Sequence, residues 1–316
     1  MSTSSWIQFT TVALIAFNGL AQASESSEIT TRIQTVLAGT SEAKIFSTID
    51  ARVYSVATSN AAVLNQLNAA AKSSQPIRLA LEGDTIVAVR SMSLEERAQF
   101  SDAFVATAED TVRSLSAPSR PDETAPADMS GYQPTQFASM AEAEGVFQSL
   151  DSNLRHRSQC YQRAHYWAYD MSSRSGINSM KVFLFFTKKY IREYNYKWWF
   201  HVAPFIYAGG VETVLDPEFV RNAMEINEWS HRFVSAAENC PSAETYQEYE
   251  AGTYDHYCYF RKVPMYYYQP TSVQESDRTR VARTGWNSQE LRNSQCAKRF
   301  CWRVGGFPTE GDLLAQ

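Results

Sequence analysis

From residue 44 to residue 115 the pattern of apolar and polar positions changes character several times. Lys44–Thr58, rich in Ile, Val and Tyr, predicts an extended segment, and Asn60–Lys72 predicts a helix capped by Ser59 or Asn60. Ile77–Val87 reads as a hairpin turned at Glu82-Gly83-Asp84. Leu94–Leu115 follows as an amphipathic helix, with Ser93-Leu94-Glu95-Glu96 resembling a capping box at its start. No catalytic constellation stands out in this stretch.

Residues 116–135 concentrate proline and small polar residues, bury little apolar area, and read as a linker exposed to proteolytic nicking. Beyond it the periodicity resumes. Helices are expected at Met140–Leu154 and from Cys160 to about Ser173, the second ended by Ser175-Gly176. Strands are expected at Met180–Phe186, Trp198–Tyr207 and Val211–Leu215, and the aromatic stretch Tyr254–Tyr268 suggests a strand-rich last third. The chain thus divides into residues 24–115, the linker 116–135 and residues 136–316, an α+β arrangement in two units. Ahead of them, residues 1–23 read as a signal peptide. Val12–Ala21 is mostly apolar and Ala21-Gln22-Ala23 fits an A-x-A cleavage site, although no Lys or Arg precedes the apolar run.

A signal peptide makes the destination secreted or periplasmic. No later stretch reaches the roughly 18 apolar residues that span a bilayer, so no membrane is expected for the mature form. The chain has 316 residues, 44% hydrophobic, with a formal net charge of −5, which provides no broad basic surface for nucleic acid. The excess acid lies in residues 1–130, with 9 Lys+Arg against 14 Asp+Glu, whereas residues 131–316 balance at 20 each. Five cysteines in an oxidising compartment leave at least one thiol unpaired. Cys240, Cys258, Cys296 and Cys301 lie close enough in sequence to pair among themselves, in any of three connectivities. Cys160 stands apart from them as the natural odd one out.

Cys160, Ala164, Trp167 and Met171 share one helical face, which puts Cys160 in the first turn on the buried side. The positive end of a helix dipole favours a thiolate there. A nucleophile also needs a base, and the base an orienting partner. A two-residue turn at Gly209-Gly210 would pair Ala208 with Val211, Phe205 with Val214 and Ala203 with Asp216, leaving His201 on the same face as Asp216 and diagonal to it. A three-residue turn would reverse that parity. Of the other histidines, His165 points about 140° around the helix from Cys160. His156 lies just upstream of the helix, and His231 and His256 have no derivable place. Each member has an ordinary alternative: a packed cysteine, a half-buried strand histidine, a strand-ending Asp-Pro turn.

Cys160-Tyr-Gln-Arg-Ala-His165, Trp199-Phe200-His201-Val202-Ala203 and Leu215-Asp216-Pro217-Glu218-Phe219 together resemble the bacterial protein-glutaminases in order and spacing. Upstream, Ala51-Arg-Val-Tyr54, the Asn65–Lys72 helix and Gln75-Pro76-Ile77 are similar to that family's pro-region. The resemblance implies a small α/β pro-domain followed by a papain- and transglutaminase-like catalytic domain, in which a helix carrying the cysteine packs on an antiparallel sheet. It implies a catalytic triad of Cys160, His201 and Asp216 that hydrolyses the side-chain amide of protein-bound glutamine. The pro-region would act as an intramolecular inhibitor until cut away, and no cofactor or metal is implied. Transglutaminase chemistry, a cysteine peptidase, and a non-catalytic secreted binding module remain the alternatives. Met180–His201 is Lys- and Tyr-rich and holds no cysteine pair, so the disulfide framework differs from the family's, and the tail 269–316 has no counterpart in that resemblance.

Overall fold

In the computed structural model, residues 26–97, 131–154, 158–234, 238–295 and 297 are described. The expected signal peptide, most of the helix expected at Leu94–Leu115, the linker as far as residue 130, His156, Cys296 and Cys301 fall outside them.

Two six-stranded sheets organise the described residues. The first is built from β1 (Ser26–Thr31), β2 (Ile33–Leu37), β3 (Glu42–Ser47), β4 (Val53–Ala57), β5 (Ile77–Glu82) and β6 (Thr85–Ser91), ordered β1-β5-β6-β4-β3-β2. Helix α1 (Ala61–Ser73) lies against it. The Asn60 side chain accepts from Val63 N and so decides the cap between the two candidates, an interaction worth about 1 kcal/mol. Val63, Leu67 and Ala70 on the buried face of α1 join Ile45, Val56, Leu79 and Ile86 in one core. The turn between β5 and β6 falls at Gly83, where φ is +60°. The capping box is formed as the sequence suggests, with Glu96 N donating to Ser93 Oγ and Ser93 N to Glu96 Oε2.

Lys44–Thr58 is not the single extended segment expected. β3 and β4 pair antiparallel, and the chain reverses between them. Asp50 makes the break: Oδ1 accepts from Arg52 N at 3.2 Å and Oδ2 from the Tyr54 hydroxyl at 2.7 Å. Residues 43–56 are buried without interruption, so no apolar-polar alternation marks the turn.

The second sheet contains β8 (Met180–Phe186), β9 (Phe200–Ala208), β10 (Val211–Val214), β11 (Met224–Glu225) and β12 (Cys258–Pro264), ordered β11-β10-β9-β8-β12. A short β7 (Gln136–Phe137) joins β9 in parallel. Helix α2 (Met140–Ser149) gives way to a 3-10 turn at Ser152–Leu154, and α3 (Cys160–Ser175) ends at Gly176 in the left-handed conformation. α3 packs across β9. Covered on both faces, β8 reads as the unbroken apolar run Val182–Phe186, every residue buried. A short α4 (Lys188–Tyr194), capped by the Thr187 hydroxyl, links β8 to β9.

The last third is not strand-rich. β12 is its one long strand among the described residues, and α5 (Ile226–Ser230), α6 (Tyr246–Ala251), α7 (Pro270–Thr279) and α8 (Ser288–Gln295) make up most of its regular structure. Its aromatic residues pack between helices, loops and the sheet, as where Tyr249 stacks on Phe185 and Tyr268 meets Tyr161 edge-on. Cys240 and Cys258 form a disulfide across a separation of 18 residues, a loop length that stabilises by about 3 kcal/mol.

The two sheets share apolar packing. Leu37, Phe46, Ala51 and Val53 of the first unit belong to the core cluster of the second. Main-chain bonds reinforce the contact: Trp199 N donates to Ala51 O at 2.8 Å and Val53 N to Lys197 O at 2.7 Å.

Behind α3, charged groups are buried together. Lys181 Nζ donates to His165 Nδ1 at 2.7 Å and to Tyr267 O at 2.6 Å, while Arg283 and Glu290 pair at 2.6 Å. Burial holds Lys181 well below its ordinary pKa, and an imidazole that accepts at Nδ1 is neutral. Burial, with the positive Lys181 and Arg283 nearby, holds His165 well below its ordinary pKa. The unfolded chain therefore takes up a proton that the folded chain refuses, and stability falls as pH drops below about 6.5. Burial of Glu290 raises its carboxyl pKa and acts in the opposite sense, favouring the fold as pH falls toward the ordinary carboxylate range. His165→Gln keeps an acceptor for Lys181 and removes the titration. Denaturant midpoints between pH 7 and pH 5 are expected to fall further for the natural chain than for this variant.

Candidate active site

Cys160 is the first residue of α3, and 1% of it is exposed. Ahead of it Gln159 N donates to Gln162 Oε1 at 3.0 Å, and Gln159 O accepts from Gln162 N and Arg163 N. These bonds fix the start of the helix and hence the direction in which the thiol leaves it. The face expected from the sequence is the buried one: Ala164, Trp167 and Met171 are all at 3% exposure or less. Cys160 belongs to no disulfide.

His201 lies near the start of β9 and Asp216 just after β10. The β9–β10 register is the one that the shortest turn requires, with Ala208 opposite Val211 and Phe205 opposite Val214. Gly209 and Gly210 both have positive φ, +60° and +80°, as a two-residue turn of the primed type demands. Leu215 N continues the pairing to Pro204 O at 2.9 Å. His201 Nε2 and Asp216 Oδ2 are 2.8 Å apart, each residue 1% exposed. A carboxylate accepts only, so the proton between them sits on Nε2 and the lone pair of a neutral ring sits on Nδ1. That Nδ1 is buried and has no hydrogen-bond partner among the described residues.

Helix and strand meet next to these side chains. Tyr161, which follows Cys160, stacks on Phe200, which precedes His201, with ring centroids 6.4 Å apart. Tyr161 also donates its hydroxyl to Ile49 O from the first unit.

Aromatic rings enclose the histidine. Phe233 lies 4.7 Å from its ring centre, Phe219 4.8 Å, Trp229 5.6 Å and Trp198 6.1 Å. The turn after Asp216, closed by Phe219 N and Val220 N on Asp216 O, carries Phe219 into this box. Trp229, in α5, does more than pack. Its Nε1 donates to Asp216 Oδ2 at 2.9 Å, so one carboxylate oxygen receives both the histidine and the indole. Sequence reasoning names neither Trp229 nor the box, because a single tryptophan 13 residues beyond Asp216 carries no periodic or motif signal. The remaining described histidines stand apart from this cluster: His165 on Lys181, His231 exposed, and His256 on Glu238 at 2.6 Å.

The first unit covers this region. Arg52 bridges to Trp198, Trp199 Nε1 donates to Ser47 O at 2.8 Å, and Phe46 stacks on Trp199 with centroids 6.1 Å apart. In this arrangement Cys160, His201 and Asp216 are each 1% exposed.

Residues 137–233, the stretch that contains Cys160, His201 and Asp216, match a family described as glutaminase. No curated protein matches the chain. Among solved structures, the A47Q2 mutant of pro-protein-glutaminase is similar with a TM-score of 0.53 and 14% identity, covering 90% of this chain and 96% of that one. Pro-protein-glutaminase itself gives a TM-score of 0.50 at 14% identity, over 87% and 92%. Likeness at that identity is likeness of fold. The resemblance drawn from the three sequence motifs thus finds support at both levels: residues 137–233 match a glutaminase family, and the chain has the α+β fold of pro-protein-glutaminase.

Proposed function

We propose that the chain is the precursor of a protein-glutamine deamidase, secreted through residues 1–23, silenced by residues 24–115 and activated by a cut in residues 116–135. The observation that carries the reading is the buried His201–Asp216 pair, 2.8 Å apart, with His201 on the strand that packs against the helix that Cys160 begins, all within the family-matched segment.

In this reading Cys160 attacks the carboxamide carbon of a glutamine side chain, with His201 Nδ1 holding the thiol proton. The oxyanion is received by backbone N–H groups at the start of α3. His201 passes its proton to the departing nitrogen, the C–N bond breaks, and ammonia leaves a thioester on Cys160. Water enters, gives a proton to His201 Nδ1 and its oxygen to the acyl carbon, and the C–S bond breaks to release glutamate and regenerate the thiol. Asp216 keeps the imidazole in the required tautomer, and the Trp229 indole keeps Asp216 in place. The aromatic box limits the rotation of the imidazole.

Silencing rests on the contact between residues 46–53 and residues 161 and 197–199. While it persists, substrate does not reach Cys160. The intact chain is therefore expected to release little ammonia from a casein-like substrate, and the chain cut in its linker and assayed at low protein concentration much more. Masses of the product should show glutamine converted to glutamate, with neither crosslinks, which would indicate transglutaminase chemistry, nor new amino termini, which would indicate peptidase chemistry. Cys160→Ser should abolish release, and its full activity would overturn the reading. Asp216→Asn, which upsets the tautomer, is expected to lower kcat by a factor on the order of 10²–10⁴. Trp229→Phe keeps a ring in the box and removes one hydrogen bond to a charged group, so kcat should fall about tenfold with KM little changed.

A further inference from the structure

Beside His201 lies a cavity of about 290 Å³. Its walls include five rings, Tyr194, Tyr196, Trp198, Phe219 and Phe233, and the last three of these also pack around His201. Its remaining described lining residues include two cations, Lys197 and Arg232, and no carboxylate. The lysine side chain is 41% exposed and the arginine 57%, so both charges stand at the rim.

The rim already meets a carboxylate within this chain. Asp84, in the β5–β6 turn of the first unit, approaches Lys197 Nζ at 3.5 Å, and from the same unit Lys44 Nζ donates to Asn195 Oδ1 at 2.6 Å. Arg232 has the looser company of Glu228, 4.0 Å away on its own helical turn. Withdrawing the first unit removes Asp84 and leaves two cations over an aromatic floor. Such a rim repels a cationic side chain, and a carboxylate on a short aliphatic stem matches it in both shape and charge.

We propose that this cavity is a subsite for an acidic side chain of the protein substrate, so that the glutamines modified are those flanked by Asp or Glu. The inference rests on the deamidase reading for its substrate and on the cavity's composition for its selectivity. In the intact chain an acid of the first unit meets the rim at Lys197, and a substrate carboxylate takes that place after cleavage.

Three labelled peptides of equal length separate the possibilities, each with one glutamine flanked by Glu, Ala or Lys. For the linker-cut chain at low protein concentration, kcat/KM for ammonia release should fall in the order Glu, Ala, Lys, with about tenfold between the extremes, expressed mainly in KM and shrinking as salt is raised. Lys197→Glu combined with Arg232→Glu should reverse that order. Fluorescence anisotropy of the same peptides on the linker-cut Cys160→Ser chain reports binding without turnover, and should rank them alike. Equal binding of the Glu and Lys peptides, or an order unchanged by the double charge reversal, would overturn the subsite. Preferential binding of the Glu peptide with no ammonia from the natural thiol would uphold the subsite and remove the deamidase reading.

Discussion

The site depends first on the register of one hairpin. His201 and Asp216 face each other because Gly209 and Gly210 close the shortest turn available, and both adopt a positive φ that a side chain with a Cβ resists. A slip of one residue between β9 and β10 would send the carboxylate to the opposite face of the sheet and leave a buried histidine with no partner for either nitrogen. The surrounding rings are arranged around that one bond. Trp229 binds the carboxylate, Phe219 and Phe233 hold the imidazole edge-on and tilted, and Trp198 stacks over it.

This register is legible in the sequence because turn chemistry is local. Two adjacent glycines between apolar strands specify a turn type, and the turn type specifies which residues pair. The helix that begins at Cys160 is legible for a similar reason, since the spacing of Ala164, Trp167 and Met171 gives its buried face and Gly176 its end. Asn60 and the Ser93–Glu96 box are local signals of the same kind.

What the sequence hides is tertiary. Residues 43–56 are buried on both sides, which erases the alternation that would have marked two strands instead of one. In the last third, aromatic composition suggests strands, yet rings such as Tyr246 and Tyr249 serve as packing between short helices and the sheet. The Lys181–His165 contact joins residues 16 apart on a helix and a strand, and Trp229 reaches Asp216 from another helix. α4 is a different case, because Thr187 ahead of Lys188–Tyr194 is a recognisable cap, and only the brevity of the helix obscures it.

The shared core has a consequence for any cut between the two units. Leu37, Phe46, Ala51 and Val53 are held in the second unit by apolar contact and by main-chain bonds to residues 197–199, none of which a nick at 116–135 touches. Cleavage removes only the tether. A cut there would convert an intramolecular equilibrium into an ordinary bimolecular one. From that moment the covering unit would be a dissociable ligand, and the fraction of open sites would depend on dilution and on whatever competes for the vacated surface. In the proposed precursor, cutting and opening would thus be two events on two clocks, the first set by a protease and the second by mass action.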